Sequence, residues 1–292
     1  MFSFLRARPL ASIFIIFLLA SLNGAVYYAL MHRDDARLTV SFLDVGQGDS
    51  ILVRGPTGIE MLIDGGRDRS VLRRLPGVIG PFDRSIDLVV ETHPDADHIA
   101  GLADVLERYR VHYFLSPGIE NDTATTKRLL ADVAKERGLT AFTARKGERI
   151  HLGGGAYADV LYPDHDVSKS ETNAGSVVLH IVYGGTSFML TGDLPSSGED
   201  HLVTEDGATL KSDVLKAGHH GSRTSTDSGW LAAVGPSTVV ISAGKDNSYG
   251  HPHPETLDRI RLQGAAILST IDEGTITFTS DGVTLLRKKS AF

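Results

Sequence analysis

Six of the twelve histidines in this 292-residue chain fall into three tight pairs, His93/His98, His219/His220 and His251/His253. Each pair occupies a glycine- or proline-containing loop that follows an apolar run, as Ile86 to Val90 precedes the first. A fold with this pattern delivers several strand ends to one edge, where α/β proteins place their working groups. The densest loop, Thr92-His93-Pro94-Asp95-Ala96-Asp97-His98, carries two histidines and two carboxylates. That mixture suits divalent first-row metals, and the carboxylates widen the choice from zinc towards manganese. Asp193 ends another apolar run that begins at Phe188, and it joins the set. The chain has no cysteine, so disulfides and thiolate ligands are excluded and a metal must be held by His, Asp and Glu.

Around these loops, strand and helix signals alternate. Strands are expected at Leu38 to Leu43, Ser50 to Val53 and Glu60 to Ile63, then at Val177 to Val182, Ser187 to Leu190 and Thr238 to Ile241. A closing hairpin is expected around Asp281-Gly282. Helices are expected at Ile99 to Tyr109, Ala124 to Glu136, Gly229 to Val234 and Pro254 to Leu262. The pattern describes one α/β domain over residues 38–287, with hairpin-rich sheets and helices between them.

Residues 9–31 hold no charged side chain, a length that spans a bilayer as a helix. Poor small-residue cleavage sites favour an uncleaved signal-anchor over a cleaved signal. Arg6 and Arg8 precede this stretch, while Arg33 and Arg37 follow it. The short, positively charged tail places the N-terminus in the cytoplasm and the main domain outside, on a single-pass anchor in the cytoplasmic membrane. Beyond residue 31 the chain carries 27 basic and 36 acidic residues, a background that opposes non-specific nucleic-acid binding. The one basic cluster there is Arg67, Arg69, Arg73 and Arg74, either a solvated helix face or a track for a polyanion.

The order Asp64-Gly65-Gly66, THPDADHIAG, LTGD and LKAGHHGS resembles the metallo-β-lactamase superfamily. DVGQGDS (Asp44 to Ser50) and GHPHPE (Gly250 to Glu255) narrow the resemblance to the hydrolase-like domain of ComEC-type competence proteins. The likeness implies a four-layer αββα sandwich with two divalent ions, Mn or Zn. It makes His93 and Asp95 ligands of one ion and Asp97 and His98 ligands of the other. Asp193 would bridge them, and His219 or His220 would complete the second site. Asp95 stands where the superfamily usually has a histidine. The superfamily's third-motif histidine is also missing, its place taken by Asn173-Ala174-Gly175-Ser176, which leaves the first ion short of a ligand and weakly held.

The same likeness casts Asp49, Asp64 and His251 as supports of the centre, and Asn173 and Ser176 as substrate contacts. Asp97, Lys216, Ser222 and His253 become catalytic candidates, with His253 protonating a leaving alkoxide. The implied activity is a metal-dependent phosphodiesterase or nuclease acting on DNA outside the membrane, single-stranded DNA being the favoured phosphodiester. The alternatives are a surface phosphodiesterase on wall or lipid phosphoesters, a lactonase-type hydrolase, and a non-catalytic partner of uptake machinery.

Overall fold

In the computed structural model, residues 8–31 and 37–288 are described, with side chains described for 12–24 and 37–288. The strands are β1 (Leu38–Phe42), β2 (Ile51–Arg54), β3 (Glu60–Ile63), β4 (Ser85–Val90), β5 (Arg110–Ser116), β6 (Thr140–Thr143), β7 (Arg149–Gly153) and β8 (Ala156–Tyr162). They continue as β9 (Val178–Tyr183), β10 (Thr186–Leu190), β11 (Val214–Lys216), β12 (Thr238–Ile241), β13 (Ala266–Ser269), β14 (Ile276–Ser280) and β15 (Leu285–Lys288).

Two sheets result. One runs β15-β14-β1-β2-β3-β4-β5-β6 and the other β13-β12-β11-β10-β9-β8-β7. Apolar side chains alternate along the strands, so each sheet presents one face inward. Val40, Phe42, Val53 and Phe278 from the first sheet meet Ala158, Leu179, Ile181 and Phe188 from the second. Each outer face carries helices. Ala96–Leu106 buries Ile99, Leu102, Ala103 and Leu106, at helical spacing, against one sheet. Ser228–Val234 buries Trp230, Leu231 and Val234 against the other, its first turn capped by Asp227 accepting from Trp230 N. The layering is helix, sheet, sheet, helix.

Hairpins are confined to part of each sheet. Strands β3 to β6 are parallel, and so are β10 to β13. The C-terminal ends of β3, β4, β10 and β11 lead directly into Asp64, the His93–His98 loop, Asp193 and the His219/His220 turn. The parallel ladders therefore gather the chemistry. Two close backbone approaches lock the loops there. A Cβ on Gly48 would lie 1.9 Å from the Asp97 carbonyl oxygen, and one on Gly101 would lie 2.0 Å from that of Gly65.

Several local expectations differ from the structure. The helix expected from Ile99 begins at Ala96, which places Asp97 and His98 in its first turn. Strands β5 to β8, helix Ser196–Asp206 and the short helices Ser70–Arg74 and Pro76–Ile79 were not anticipated. In the basic cluster, Arg69 pairs with Asp104 at 3.2 Å and Arg74 with Asp44 at 2.6 Å, so two of its four cations are tied to the fold.

The N-terminal helix covers Arg8–Met31 and is a unit separate from the rest. Side chains are described only for residues 12–24 of it, and these are exposed. Among the described residues no helix is long and apolar enough to cross a membrane.

Candidate metal centre

Asp193 Oδ2 is the hub. Four imidazole Nε2 atoms face it, His98 at 3.3 Å, His220 at 3.4 Å, His219 at 3.7 Å and His93 at 3.9 Å. They come from two loops on two different sheets. His219 and His220 can both face one carboxylate because both adopt left-handed backbone, φ 48° and 55°. Such strain costs roughly 1–3 kcal/mol per residue and persists where the surrounding structure over-determines it.

The other ring nitrogens show why Nε2 points inward. Asp64, itself at φ 57°, accepts from Thr92 N at 2.9 Å, Thr92 Oγ1 at 2.6 Å and His98 Nδ1 at 2.7 Å. The Thr92 hydroxyl proton is thereby used, so its oxygen must accept at His93 Nδ1, 3.0 Å away. His220 Nδ1 donates to the Ser242 carbonyl at 3.0 Å. Three imidazoles are thus anchored through Nδ1–H, leaving Nε2 as the ligand atom. His93 Nε2 is buried with no hydrogen-bond partner.

The separations fit a metal. His98 Nε2 and His220 Nε2 are 3.2 Å apart, and Asp97 Oδ2 lies 3.4 Å from His220 Nε2. With the two Asp193 distances, these match the edges, about 3.3 Å, of a tetrahedron with 2.0–2.1 Å bonds. Asp49, His98, Asp193 and His220 also form a buried group whose ligand atoms lie within 4.8 Å of one another. Asp49, however, approaches the two rings from the Nδ1 side, at 4.0 and 3.5 Å, and its Oδ2 is 2.5 Å from Lys216 Nζ. Asp97 therefore suits the Nε2 side better. Asp95 occupies the helix N-cap position without capping it; its carboxylate, 38% exposed, lies 3.8 Å from His93 Nε2.

Charge is balanced internally. Burial opposes the charged form of His220, but Asp193, Asp49 and Asp97 outweigh it and push its pKa up to about 9. Burial likewise opposes charge on His98, which Asp193 and Asp64 hold well above the usual histidine range. Without metal these rings carry protons that an ion must displace. Metal uptake at pH 7 is therefore expected to release at least one proton. Affinity should rise with pH, about tenfold per pH unit for each proton displaced, as pH climbs from neutrality towards the His220 value. Calorimetry in buffers of different ionisation enthalpy measures this directly.

Some expected roles change. Lys216 is fully buried, bonded to Asp49 and to the Gly192 carbonyl at 3.2 Å, with Asp193 Oδ1 at 3.6 Å. It holds the centre's wall and does not face a phosphoryl oxygen. Ser222 is buried in a turn against Thr224 at 3.0 Å. Ser176 is buried with Oγ accepting from Asp193 N at 3.3 Å, a prop for the hub and not a substrate contact. Asn173 lies in the short turn Asn173–Gly175, whose residues do not line the cleft. His253 sits at the N-cap of helix Pro254–Leu262, its Nδ1 accepting from Arg223 N at 3.2 Å. His251 lines the cleft instead, 5.3 Å from His219 between ring centroids.

Sequence reasoning passed over Thr92, Ser242, Gln47 and Tyr249. Thr92, one residue before His93, and Gln47, inside DVGQGDS, stood in quoted motifs. Ser242 acts through its backbone, which no side-chain pattern reveals.

The model of the Metallo-beta-lactamase superfamily matches residues 43–245, most of the chain and all of this centre except His251 and the loop around it. The chain belongs to that superfamily. It is 33% identical to ComE operon protein 3 of Bacillus subtilis over 257 residues, covering 82% of this chain and 32% of that protein. It is 30% identical to competence protein ComA of Neisseria gonorrhoeae over 265 residues, covering 88% of this chain and 34% of the other. The chain thus spans about a third of the length of these competence proteins. Among solved structures it is similar to Igni18, a metallo hydrolase from Ignicoccus hospitalis, with TM-score 0.51 and 18% identity over 83% of this chain and 98% of that one. This metallo-β-lactamase member has a metallo-hydrolase fold and a buried Asp/His group able to bind metal.

Proposed function

We propose that the protein is a metal-dependent phosphodiesterase, with single-stranded DNA as favoured substrate and its main domain held outside the cytoplasmic membrane by the segment 9–31, a reading that rests on the uncharged sequence of that stretch. The observation that carries the hydrolase reading is the convergence of four imidazoles on Asp193 Oδ2. In this reading Asp97, His98 and His220 hold one divalent ion, and His93, Asp95 and His219 hold a second, with Asp193 between them. His219 then supplies the ligand that the Asn173 to Ser176 segment lacks. When bound, two such ions, Mn²⁺ or Zn²⁺, would lower the pKa of water and stabilise the leaving oxygen of an in-line displacement.

The chain's own contribution is preorganisation. Asp64 and Thr92 set the tautomers of His93 and His98, the Ser242 carbonyl sets that of His220, and Lys216 with Ser176 holds Asp193 in place. His251 Nδ1 is buried without a partner, and the side chain lines the cleft, so it is placed to exchange a proton with the reacting oxygens. The competence relatives support nucleic acid over other esters. The acidic domain implies that a strand is gripped at the centre and not by a basic surface.

The test is cleavage of single-stranded DNA by the full chain in Mn²⁺, Zn²⁺ and Mg²⁺. Cleavage in Mn²⁺ is expected, with Asp97→Ala lowering kcat/KM by about 10²-fold or more. Hydrolysis of bis-p-nitrophenyl phosphate without DNA cleavage would replace the nuclease with a wall- or lipid-phosphoester enzyme. Metal binding with neither activity would leave a lactonase-type hydrolase or a non-catalytic partner. For the membrane assignment, protease added to spheroplasts should degrade the domain, and its survival would overturn the external placement.

A further inference from the structure

We propose that Gln47 and Tyr249 form a substrate subsite at the mouth of the metal centre, the amide gripping a phosphoryl oxygen and the phenol ring stacking on a flat ring attached to that phosphate. The inference rests on the phosphodiesterase reading and names the kind of diester it takes.

Gln47 is 4% exposed, in the turn after β1. Its Oε1 accepts from Gly244 N at 3.2 Å. Only the carbonyl end of the amide can accept from an N–H, so the orientation is settled and Nε2 points the other way. That donor is buried with no hydrogen-bond partner. Gln47 lines the cleft together with Asp95, Asp97, Asp193 and His219. An unmade hydrogen bond at a buried donor costs free energy, which an oxyanion arriving in the cleft recovers.

The cleft measures about 90 Å³, well below the roughly 300 Å³ of sites that enclose a drug-sized molecule. Shared with the ions that its Asp and His lining would hold, that volume admits no more than a phosphate group, and the organic parts of the diester must lie outside. Tyr249 stands there, on the lip and 60% exposed. One face of its ring stacks on His251, with centroids 5.6 Å apart and planes at 20°. Asn247 fixes this presentation. Its Nδ2 donates to the Gly244 and His251 carbonyls, both at 2.7 Å, and its Oδ1 accepts from Tyr249 N at 3.2 Å and His251 N at 2.9 Å. An aromatic side chain held rigidly beside a phosphate site is a stacking platform of the kind that grips single strands without reading sequence.

The experiment uses the full chain with Mn²⁺, a 16-nucleotide single strand, the same strand made abasic, and bis-p-nitrophenyl phosphate, whose two rings are flat. Tyr249→Ala should raise KM on the base-bearing strand about tenfold or more, with Tyr249→Phe recovering the loss and the penalty shrinking below threefold on the abasic strand. Gln47→Glu keeps the acceptor for Gly244 N and turns the donor into a repelling acceptor. Because it also buries a carboxylate near Asp97 and Asp193, its melting temperature and metal content are measured alongside; per metal-loaded folded protein it should lower kcat/KM about 30-fold or more on every substrate. Gln47→Ala should lose turnover similarly. If Gln47→Ala loses activity while Gln47→Glu keeps it, Gln47 is a loop prop and the donor role is wrong. An equal Tyr249→Ala effect on base-bearing and abasic strands would overturn the stacking role. Should the parent cleave only the nitrophenyl diester, the DNA reading fails while the subsite stands or falls on that substrate. Both variants must then weaken its hydrolysis.

Discussion

Asp193→Asn is expected to abolish hydrolysis, with kcat/KM falling by more than about 10³-fold, a loss above roughly 4 kcal/mol of transition-state stabilisation. The amide has the carboxylate's shape, so folding should survive. What it lacks is the negative charge that four imidazoles share within 3.9 Å. Removal of that charge disconnects the loops of one sheet from those of the other. Metal content should fall from about two equivalents to at most one, and the rise of the melting temperature with Mn²⁺ should shrink accordingly. Metal analysis with thermal melts, each with and without Mn²⁺, checks both halves. A variant that still binds two ions would show that Asp193 is not the bridge.

The second large effect concerns stability. Lys216→Met leaves Asp49 buried beside Asp193 without its cation. Burial alone would raise the Asp49 pKa, yet Lys216, with His220 and His98, holds it down at about 2. Breaking a buried pair from one side costs about 3–5 kcal/mol. For a domain of this size that lowers Tm by roughly 10 °C. Adding Asp49→Asn to Lys216→Met removes the stranded charge and should restore much of the stability, a non-additivity that a double-mutant cycle reads directly. Additive losses would mean that the two side chains act independently, contrary to their 2.5 Å contact.

The sign of the pH effect on this pair follows from the same shift. Asp49 is depressed in the folded chain, so its contribution is complete above the unfolded carboxylate pKa, near 3.9. It is lost as pH falls towards the folded value of about 2. Lys216→Met should shrink that acid-limb dependence to the part that His220 and His98 supply.

Much of the centre was legible because its chemistry is local in sequence. The loop from His93 to His98, Asp193 and the His219/His220 pair each follow a buried strand, and the parallel register of β3 with β4 in one sheet and of β10 with β11 in the other puts those strand ends on one edge of each sheet. The burial of Lys216 was not legible. A lysine after an apolar strand reads equally well as a snorkelling surface group, and its partner Asp49 lies 167 positions away in the chain, in a turn. Ser176 looked like a substrate contact because its motif replaces a ligand motif, whereas its hydroxyl supports the Asp193 backbone. Strands β6 and β7 escaped notice for a different reason. Most of their residues are exposed or half-buried, so no apolar alternation marks them. The start of helix Ala96–Leu106 was hidden because its N-cap aspartate keeps its carboxylate for His93 and not for its own helix.

The measurement closest to the central claim is anomalous diffraction at the manganese edge from crystals of the full chain grown with Mn²⁺. Two peaks are expected, one on each side of the Asp193 carboxylate, the first contacted by Asp97, His98 and His220 and the second by His93, Asp95 and His219. A single ion on Asp49 with Asp193 uninvolved, or no ion against these residues at saturating Mn²⁺, would contradict the account.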